Sequence, residues 1–539
     1  MKVTKQIEYE YKNAPIPGGG YVTGFVYHQT QPGILYARTD IGGTYRYEKD
    51  GECWESLIKH VTQKDLSETY PIALALDEKY PERLYIVSGI TQNGYGVFSI
   101  SEDYGQTFTY KKVPTVVHGN MPGRGTGYRL VVDKKDSNTL YFASQKGGLW
   151  KTSDRGDTWE RLSLEEDYTT CVWVSDDSQT IVVGTAGYTT RVDDTLRRHS
   201  LYVSYDAGVS FEKLMMPENV IVKDCKMNGL VASRYDYDGK YLYVTMNVTG
   251  RYNYIVDMGY SCDTGDMIGG KVIRYYFEDG RIAGYDDITP DYSGRLTTEY
   301  VDHGFGGICS CKSKPGLLVC STLCIEANCS ETVYISEDYG NTWRVSLCGL
   351  EVGGIHFRTS YMLPKYNGNH SLLHWLSDVK IDPFNPNKLW FNSGTGVFTT
   401  DALLSENPAY HDWCDGIEET VHLNVYAPLS GDVQLVDIVG DLGGFAFRDL
   451  DKPCDNSFDD ENGNRYITCI NADLSDANSD VAVITARGNW TGKTKGGLIR
   501  TVDGFKTFQR IPMPFNIGGK IAEQLHVIEK PNVNAGWVA

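Results

Sequence analysis

The chain has 539 residues, of which 41% are hydrophobic and 22% charged, as is ordinary for a soluble globular protein of two or more domains. Its formal net charge of −19 disfavours nucleic acid, anionic membranes and polyanionic polymers as partners and leaves neutral ligands open. The 57 Gly and 38 Tyr suit many short strands joined by tight turns, so an all-β fold is expected.

The N-terminal segment, MKVTKQIEYEYKNAP, lacks the apolar run of a signal peptide, and no stretch of 18 apolar residues occurs. The sequence as it stands therefore predicts a cytoplasmic protein, or a secreted one if a leader has been removed. Thirteen Cys without regular spacing fit a reducing compartment. The densest group matches no standard zinc pattern, so we expect buried strand thiols, no metal and no cofactor. That group is Cys309, Cys311, Cys320, Cys324 and Cys329.

From the N-terminus onwards, a strand, turn, strand pattern recurs along the chain. An apolar run is followed by Asp, a turn, and then Leu and an aromatic residue seven positions after the Asp. The steps run from Asp77 to Leu84, from Asp133 to Leu140 and from Asp382 to Leu389, and His28 to Leu35 repeats the spacing with His in place of Asp. Each copy predicts a β-hairpin.

A second pattern follows these hairpins and reads Ser/Thr-x-Asp-x-Gly-x-Thr/Ser-aromatic. Such segments resemble Asp boxes, in which the Asp side chain and the Gly backbone form a tight turn and the aromatic ring packs inside. A structural role is therefore expected. The copies are SEDYGQTF at 101, TSDRGDTW at 152, SYDAGVSF at 204, SEDYGNTW at 336 and TVDGFKTF at 501, whose Gly is displaced by one.

The two patterns together make a four-stranded antiparallel unit of about 50 residues, and regular recurrence of such units is typical of a β-propeller. We expect two propellers, residues 1–360 and 361–539, with the boundary in the polar stretch SYMLPKYNGNHS. The second part has room for three or four blades. It is therefore expected to be partial, through truncation or by nature, with an open edge that needs covering.

Two Asp-x-Gly-Gly runs stand apart from the boxes: RTDIGGTY, which contains Asp40, and DLGGF, which begins at Asp441. Alignment with the repeat places both in the loop that enters the third strand of a blade, on the rim opposite the box turns. The Gly pair lets backbone or a ligand approach closely. Two such carboxylates could serve glycoside hydrolysis, which needs an acid and a base; loop capping is the alternative.

Five longer blocks resemble the successive signatures of glycoside hydrolase family 74, in the family's order and spacing. They are GGGYVTGFVYHQTQPGILYARTDIGGTYR, GNMPGRGTGYRLVVD, HWLSDVKIDPFNPNKLWFNSGTGVF, GIEETVHLNVYAPLSGD and GDLGGFAFRDLD. The resemblance implies two seven-bladed propellers with a cleft between them, and inverting hydrolysis of β-1,4-glucan backbones, chiefly xyloglucan. The expected substrate is a neutral plant polysaccharide or oligosaccharide.

Carried over by motif, the resemblance implies that Asp40 is the general base and Asp441 the general acid. Since the acid has to stay protonated near neutral pH, we expect Asp441 to be the more desolvated of the two. Other residues of the blocks are expected to line the cleft or to brace it. These are Arg38, Arg124, Arg129, His374, Trp375, Glu418 and Glu419.

The chain departs from the family pattern after GDLGGF, where Phe447 and Arg448 stand near the position of a usual His. Two other functions stay open. A sialidase shares Asp boxes, but the only Arg-Ile-Pro, at Arg510 to Pro512, lies at the wrong end of the chain. A non-catalytic carbohydrate-binding or interaction propeller is favoured if the second propeller is incomplete. The sequence leaves endo or exo action and the oligomeric state open.

Overall fold

The computed structural model describes residues 12–61, 63–186, 199–217, 230–249, 267–290, 303–323, 331–348, 354–362, 373–454, 457–458, 466, 468–488 and 496–511. The chain divides into two compact units. The larger unit comprises Gly20–Arg358 and His370–Glu419, and the smaller one Met1–Gly19, Thr359–Asn369 and Thr420–Ala539. Short 3₁₀ helices occur at Gln63–Thr69, Thr91–Asn93 and Ser360–Met362, and all other regular elements in the described ranges are strands.

The described residues of the larger unit form seven sheets, numbered here as blades 1 to 7 in chain order. Blade 1 contains β1 (Val22–Tyr27), β2 (Leu35–Thr39), β3 (Thr44–Glu48) and β4 (Cys53–Ser56). Blade 2 contains β5 (Pro71–Leu76), β6 (Leu84–Ser88), β7 (Gly96–Ser101) and β8 (Thr109–Val113). Blade 3 contains β9 (Leu130–Val132), β10 (Leu140–Ala143), β11 (Leu149–Thr152) and β12 (Glu160–Arg161). Blade 4 contains β13 (Thr169–Val174), β14 (Ile181–Thr185), β15 (Leu201–Ser204) and β16 (Glu212–Lys213).

The remaining blades of this unit follow the same antiparallel order, with one added strand. Blade 5 contains β17 (Leu230–Tyr237), β18 (Tyr241–Thr249), β19 (Met267–Glu278) and β20 (Arg281–Asp287). Blade 6 contains β21 (Gly304–Ser310), β22 (Leu318–Leu323), β23 (Thr332–Ser336) and β24 (Arg344–Cys348). Blade 7 contains β25 (Ile355–His356), β26 (Val379–Asp382), β27 (Asn385–Ser393), β28 (Gly396–Thr400) and β29 (Tyr410–Asp412). Strand β25 pairs in parallel with β29.

The seven blades close into a ring around an axis. The first long strand of each blade contacts that of the next, and β26 of blade 7 contacts β1 of blade 1. The backbone N–H of Phe25 donates to Asp378 Oδ2 at 2.8 Å across this closure. The larger unit is thus a seven-bladed β-propeller. The repeats predict the propeller, and the family resemblance implies its seven blades.

The core lies between neighbouring blades, where apolar strands face one another. Inner strands such as β22 (LVCSTL) are buried along their whole length, whereas the outer strand β8 (TYKKV) is largely exposed. At the ring closure, Trp390 of blade 7 is fully buried against Tyr47 and Trp54 of blade 1. Large aromatic side chains bury roughly 150–250 Å² each, so this contact helps to hold the ends of the ring together.

The predicted hairpin and box turns share one rim of the propeller. Asp77 Oδ1 accepts the N–H of Lys79 at 2.9 Å, and equivalent bonds form at Asp133 and Asp382. In blade 1, His28 Nδ1 takes the place of this carboxylate and accepts from Thr30 and Gln31. The hairpin pattern therefore reflects a side chain that caps its own turn.

The box segments form the tight turn that their sequence predicts. In the first, Asp103 Oδ1 accepts the N–H of Thr107 at 2.9 Å, and Ser101 Oγ accepts that of Gly105 at 2.8 Å. The same bonds recur around the other Asp residues of the pattern, namely Asp154, Asp206, Asp338 and Asp503. In the last turn Phe505 adopts φ 65° where the others have Gly, which accounts for the displaced glycine.

The described residues of the smaller unit form two sheets. One contains β30 (His422–Tyr426), β31 (Leu435–Val439) and β32 (Gly443–Phe447). The other contains β33 (Cys469–Leu474), β34 (Ala482–Ala486), β35 (Gly497–Thr501) and β36 (Gln509–Ile511). Val436, Ile438, Ile484 and Ile499 form their shared core.

The division of the chain differs from the boundary expected near residue 360. The chain leaves the larger unit at Thr359 but returns to it at His370, and blade 7 packs on β1 and β21. The reason is ring closure, since the last blade has to bury its inner strand against the first. Residues 361–419 therefore do not belong as a block with the C-terminal part.

The cysteine-rich segment of blade 6 contributes to the core. Cys309, Cys311 and Cys320 are buried, and burial raises the pKa of the Cys309 and Cys320 thiols. Cys324 and Cys329 lie outside the described residues. Among the residues that are described, no helix is long and apolar enough to cross a membrane.

Candidate functional site

Asp40 lies in the loop between β2 and β3, at the end of β3 opposite its box-side turn. Its residue surface is only 6% exposed, and its N–H donates to the carbonyl of Tyr21 at 3.2 Å. Gly43 follows with φ 90°, and a Cβ there would overlap Ile58. Gly43 is thus required by a left-handed turn packed against Ile58.

Arg124 supplies the cation beside Asp40. Its Nη1 lies 2.5 Å from Asp40 Oδ2, and both side chains are largely buried. The guanidinium also lies over the rings of Tyr21 and Trp375, at 5.4 and 5.3 Å from their centroids. A cation in contact with a carboxylate in a poorly solvated site favours its ionised form.

The segment that carries Arg124 is held through its own carbonyl oxygens. Arg129 Nη2 donates to the carbonyl of Gly123 at 3.1 Å, and Arg38 donates to those of Arg124 and Thr126. Arg234 of blade 5 donates to the carbonyl of Gly125 at 3.0 Å. Four successive carbonyls thus accept from three buried guanidinium groups, which fix where Arg124 stands.

These three arginines belong to the interior of the propeller. Burial, and then the charges of Arg234 and Arg129, lower the pKa of Arg38 to about 9, which leaves it cationic at neutral pH. Arg234 also pairs with Asp378 at 3.0 Å. Of the residues expected to line or brace the site, Arg38 and Arg129 therefore brace it.

Glu419 approaches the same loop from the end of the larger unit. Its Oε1 accepts the N–H groups of Ile41 and Gly42 at 3.0 and 2.9 Å, and the residue is 3% exposed. Burial first, and then the negative charge of Asp40, raise the pKa of Glu419 well above its usual value. The carboxyl groups of Asp40 and Glu419 are therefore neighbours within one buried site.

The remaining residues of the expected set lie around this pair. Trp375 adopts φ 62°, its N–H donates to Glu331 Oε1 at 3.2 Å, and its ring packs edge-on against Tyr21. His374 packs on the edge of Trp375 and against Gly394. The carbonyl of Glu418 accepts from the Tyr45 hydroxyl at 2.9 Å.

Asp441 belongs to the smaller unit, in the loop between β31 and β32. This is the second-to-third strand loop of its sheet, the same position that Asp40 has in blade 1. Asp441 adopts φ 62°, and its N–H donates to Thr468 Oγ1 at 3.2 Å. A left-handed conformation at Asp is tolerated more readily than at most residues.

The expected order of burial is reversed, since Asp441 is exposed and Asp40 is buried. The cause is local: Asp441 sits at the tip of a tight turn, whereas Asp40 is covered by the Arg124 segment and Glu419. The departures from the family pattern lie at the far end of β32 from Asp441. Phe447 is buried in the core, and Arg448 pairs with Asp432 at 3.0 Å.

Sequence reasoning missed Tyr21 and Arg234. Tyr21 follows the GGG run that opens the first block, so its place beside a glycine turn was a usable signal. Arg234, in SRYDY of blade 5, has no local signal, because its contacts lie more than 100 residues away in sequence.

A family model described as "Sortilin, neurotensin receptor 3" matches residues 96–253, a segment that contains three of the box turns. A xyloglucanase from Paenibacillus sp is 28% identical over 89% of this chain and 48% of its own length. An oligoxyloglucan-reducing end-specific xyloglucanase from Emericella nidulans is 26% identical over 83% of this chain and 59% of its own length.

Among solved structures, the GH74 xyloglucanase from Xanthomonas campestris superposes with a TM-score of 0.76 at 24% identity, over 94% of this chain and 70% of that one. This similarity establishes the fold. The chain spans about half the length of the curated relatives it matches.

Proposed function

We propose that the chain belongs to glycoside hydrolase family 74 and hydrolyses the β-1,4-glucan backbone of xyloglucan or its oligosaccharides with inversion, in line with its xyloglucanase relatives. In an inverting hydrolysis, one carboxylic acid protonates the leaving oxygen while a carboxylate takes a proton from the attacking water. The proposal assigns the carboxylate to Asp40 and the acid to Asp441.

The environment of Asp40 suits a general base and is the observation that carries the proposal. A base has to be ionised before substrate arrives, and Arg124 at 2.5 Å stabilises that charge. The guanidinium of Arg124 lies over the buried ring of Tyr21 and the partly exposed ring of Trp375, so an aromatic surface stands near the site. Aromatic rings next to a catalytic carboxylate are suited to a sugar, which presents C–H groups as well as hydroxyls.

Asp441 is exposed, so a role as acid requires that bound substrate supply its burial. A sugar that covers the carboxyl group removes water from it and raises its pKa, since desolvation disfavours the charged form. Asp441 would then hold a proton in the complex while losing it in the free chain. The alkaline limb of the pH profile, where the acid loses its proton, should therefore lie at higher pH for kcat than for kcat/KM.

The test is turnover of xyloglucan and xyloglucan oligosaccharides by the unaltered chain, Asp40→Asn and Asp441→Asn, with product anomers followed by proton NMR. New α-anomeric reducing ends are expected from the unaltered chain. General acid and base groups typically contribute 10²–10⁴-fold, so each Asn variant should lose about that much of kcat.

Asp103→Asn is the matched control, because Asp103 is a box-turn carboxylate on the other rim and should leave turnover intact. Full activity in either Asn variant would contradict the assigned roles. Binding without products from the unaltered chain would instead indicate a carbohydrate-binding propeller.

A further inference from the structure

The surroundings of the Glu419 side chain do not fully stabilise a negative charge on its carboxyl group. Its Oε1 accepts two backbone N–H groups, but its Oε2 is buried and, among the described residues, has no hydrogen-bond partner. The nearby Thr39 hydroxyl donates its proton to the carbonyl of Gly43 instead. A buried carboxylate oxygen without a donor is strongly disfavoured. The neighbouring group is the carboxyl of Asp40, which as an anion can accept a hydrogen bond but cannot donate one.

The Glu419 side chain packs closely against Gly20 and against Gly42 of the Asp40 loop. A Cβ at Gly20 would overlap the Glu419 side chain, and a Cβ at Gly42 would stand 3.1 Å from Glu419 Oε2. Glycine at both positions thus lets the carboxyl group reach the loop. The side chain of Glu419 is therefore closely packed and almost fully shielded from solvent.

From this geometry we infer that Glu419 is a positioning residue for Asp40: a buried, protonated carboxylic acid that donates its O–H to the Asp40 carboxylate while its Oε1 holds Ile41 and Gly42. The inference rests on the proposed role of Asp40 as base. One proton on Glu419 satisfies Oε2, removes the repulsion between two carboxylates and leaves the negative charge on Asp40. Asp40 then accepts from both Glu419 and Arg124.

The charged and titratable groups that face Glu419 are consistent with this state. Asp40 faces it from the β2–β3 loop, with Arg124 beyond, and Tyr45 faces it from β3, next to Glu418. Burial raises the pKa of Tyr45, so its hydroxyl stays neutral, and it donates to the carbonyl of Glu418. Arg124 is the cation of this set, and its Nη1 is engaged by Asp40.

Two variants at Glu419 distinguish a side chain that donates a hydrogen bond from one that acts as a charged carboxylate. Glu419→Gln keeps the shape, an N–H donor towards Asp40 and an oxygen for Ile41 and Gly42, so kcat on xyloglucan oligosaccharides should stay within a few-fold. Glu419→Ala removes both contacts and should lower kcat at least ten-fold with little change in KM. A Glu419→Gln variant as inactive as Asp40→Asn would overturn the inference.

A stability measurement tests Glu419 whether or not the chain cleaves xyloglucan. The folded chain keeps the proton on Glu419, whereas the unfolded chain releases it above the usual Glu pKa of about 4.3. Unaltered protein therefore loses stability relative to Glu419→Gln as pH rises. Between pH 4.5 and pH 7.5, the Tm of Glu419→Gln should therefore rise by a few degrees relative to the Tm of the unaltered protein.

Glu160→Gln, at an exposed glutamate of β12, is the control for removing one negative charge. A Tm difference for Glu419→Gln that is flat with pH, or that moves the other way, would show an ionised Glu419 and overturn the inference. An infrared band of a protonated carboxyl group at neutral pH, lost in Glu419→Gln, should accompany the expected result. Absence of turnover in unaltered protein would count against the proposed function alone.

Discussion

At the scale of single residues, the charge on Asp40 depends on Arg124. The guanidinium lies 2.5 Å from Asp40 Oδ2, and an opposite charge this close typically lowers a carboxyl pKa by roughly 1–3 units. Arg124→Met removes that charge while keeping a long side chain. The rising limb of the kcat/KM profile against pH should therefore move up by about 1–3 pH units, because the base then ionises at higher pH.

Arg155→Met is the matched control, since Arg155 pairs with Glu102 at the box-turn rim. Its profile should coincide with that of the unaltered chain. Arg124→Lys should fall between the two, because Lys keeps the charge but not the fork geometry. An unshifted limb in Arg124→Met would show that the ion pair does not set the ionisation of Asp40.

Part of the site could be predicted from the sequence, because some of its residues lie next to recognisable glycine patterns. Asp40 is flagged by the Gly-Gly turn that its loop needs, and Arg124 by the glycines around it in GNMPGRGTG. The proximity of Glu419 to Asp40 has no local signal, because the two are 379 positions apart and meet only when the ring closes. The burial of Asp40 and the exposure of Asp441 likewise depend on what covers each loop.

At the scale of elements, the box turns are held by carboxylates that must be ionised. In the second turn, the hydroxyl and N–H of Thr158 donate to Asp154 and lower its pKa to about 2. An unfolded Asp titrates near 3.9, so this carboxylate contributes stability above that pH and loses it as pH falls through about 2. Asp154→Asn should therefore lower Tm at pH 6 but make little difference near pH 2.

The measurement is the Tm of Asp154→Asn and unaltered protein across this range, with Asp157→Asn as control. Asp157 neighbours the turn but accepts none of the bonds from Thr158. A deficit equal at pH 6 and pH 2 would show that the turn does not depend on the charge. The box pattern is the part of the fold that sequence predicts best, because each turn is satisfied within eight residues.

At the scale of the whole molecule, the closed ring was harder to foresee than its blades. The hairpin at Asp382 to Leu389 identifies blade 7, but the repeat pattern does not indicate to which propeller that blade belongs. Polar composition near residue 360 favoured a boundary there, whereas pairing of blade 7 with blade 1 is decided by contacts across more than 300 residues. Blade 7 could have been assigned to this ring only by comparing the buried surfaces of blade 1 and blade 7.

Asp378 ties that closure together and is fully buried. Its Oδ2 accepts the N–H of Phe25 at 2.8 Å and pairs with Arg234 at 3.0 Å, while its Oδ1 pairs with Lys380 at 2.6 Å. Although burial opposes the charge of Lys380, Asp378 raises its pKa, so the lysine remains cationic. One carboxylate thus joins blades 1, 5 and 7 and neutralises two buried cations in part.

Asp378→Ala should destabilise the larger unit by about 3–5 kcal/mol, because it leaves Lys380 and Arg234 buried without their counter-ion and Phe25 without its acceptor. Asp401→Ala removes an exposed partner of Lys388 in the same blade and should cost at most about 1 kcal/mol. Urea unfolding followed by tryptophan fluorescence compares the two, since Trp54 and Trp390 report on the closure. If Asp378→Ala unfolds no earlier than Asp401→Ala, the ring does not depend on this ion cluster, and other contacts, such as the packing of Trp390 on Trp54, hold blade 7 to blade 1.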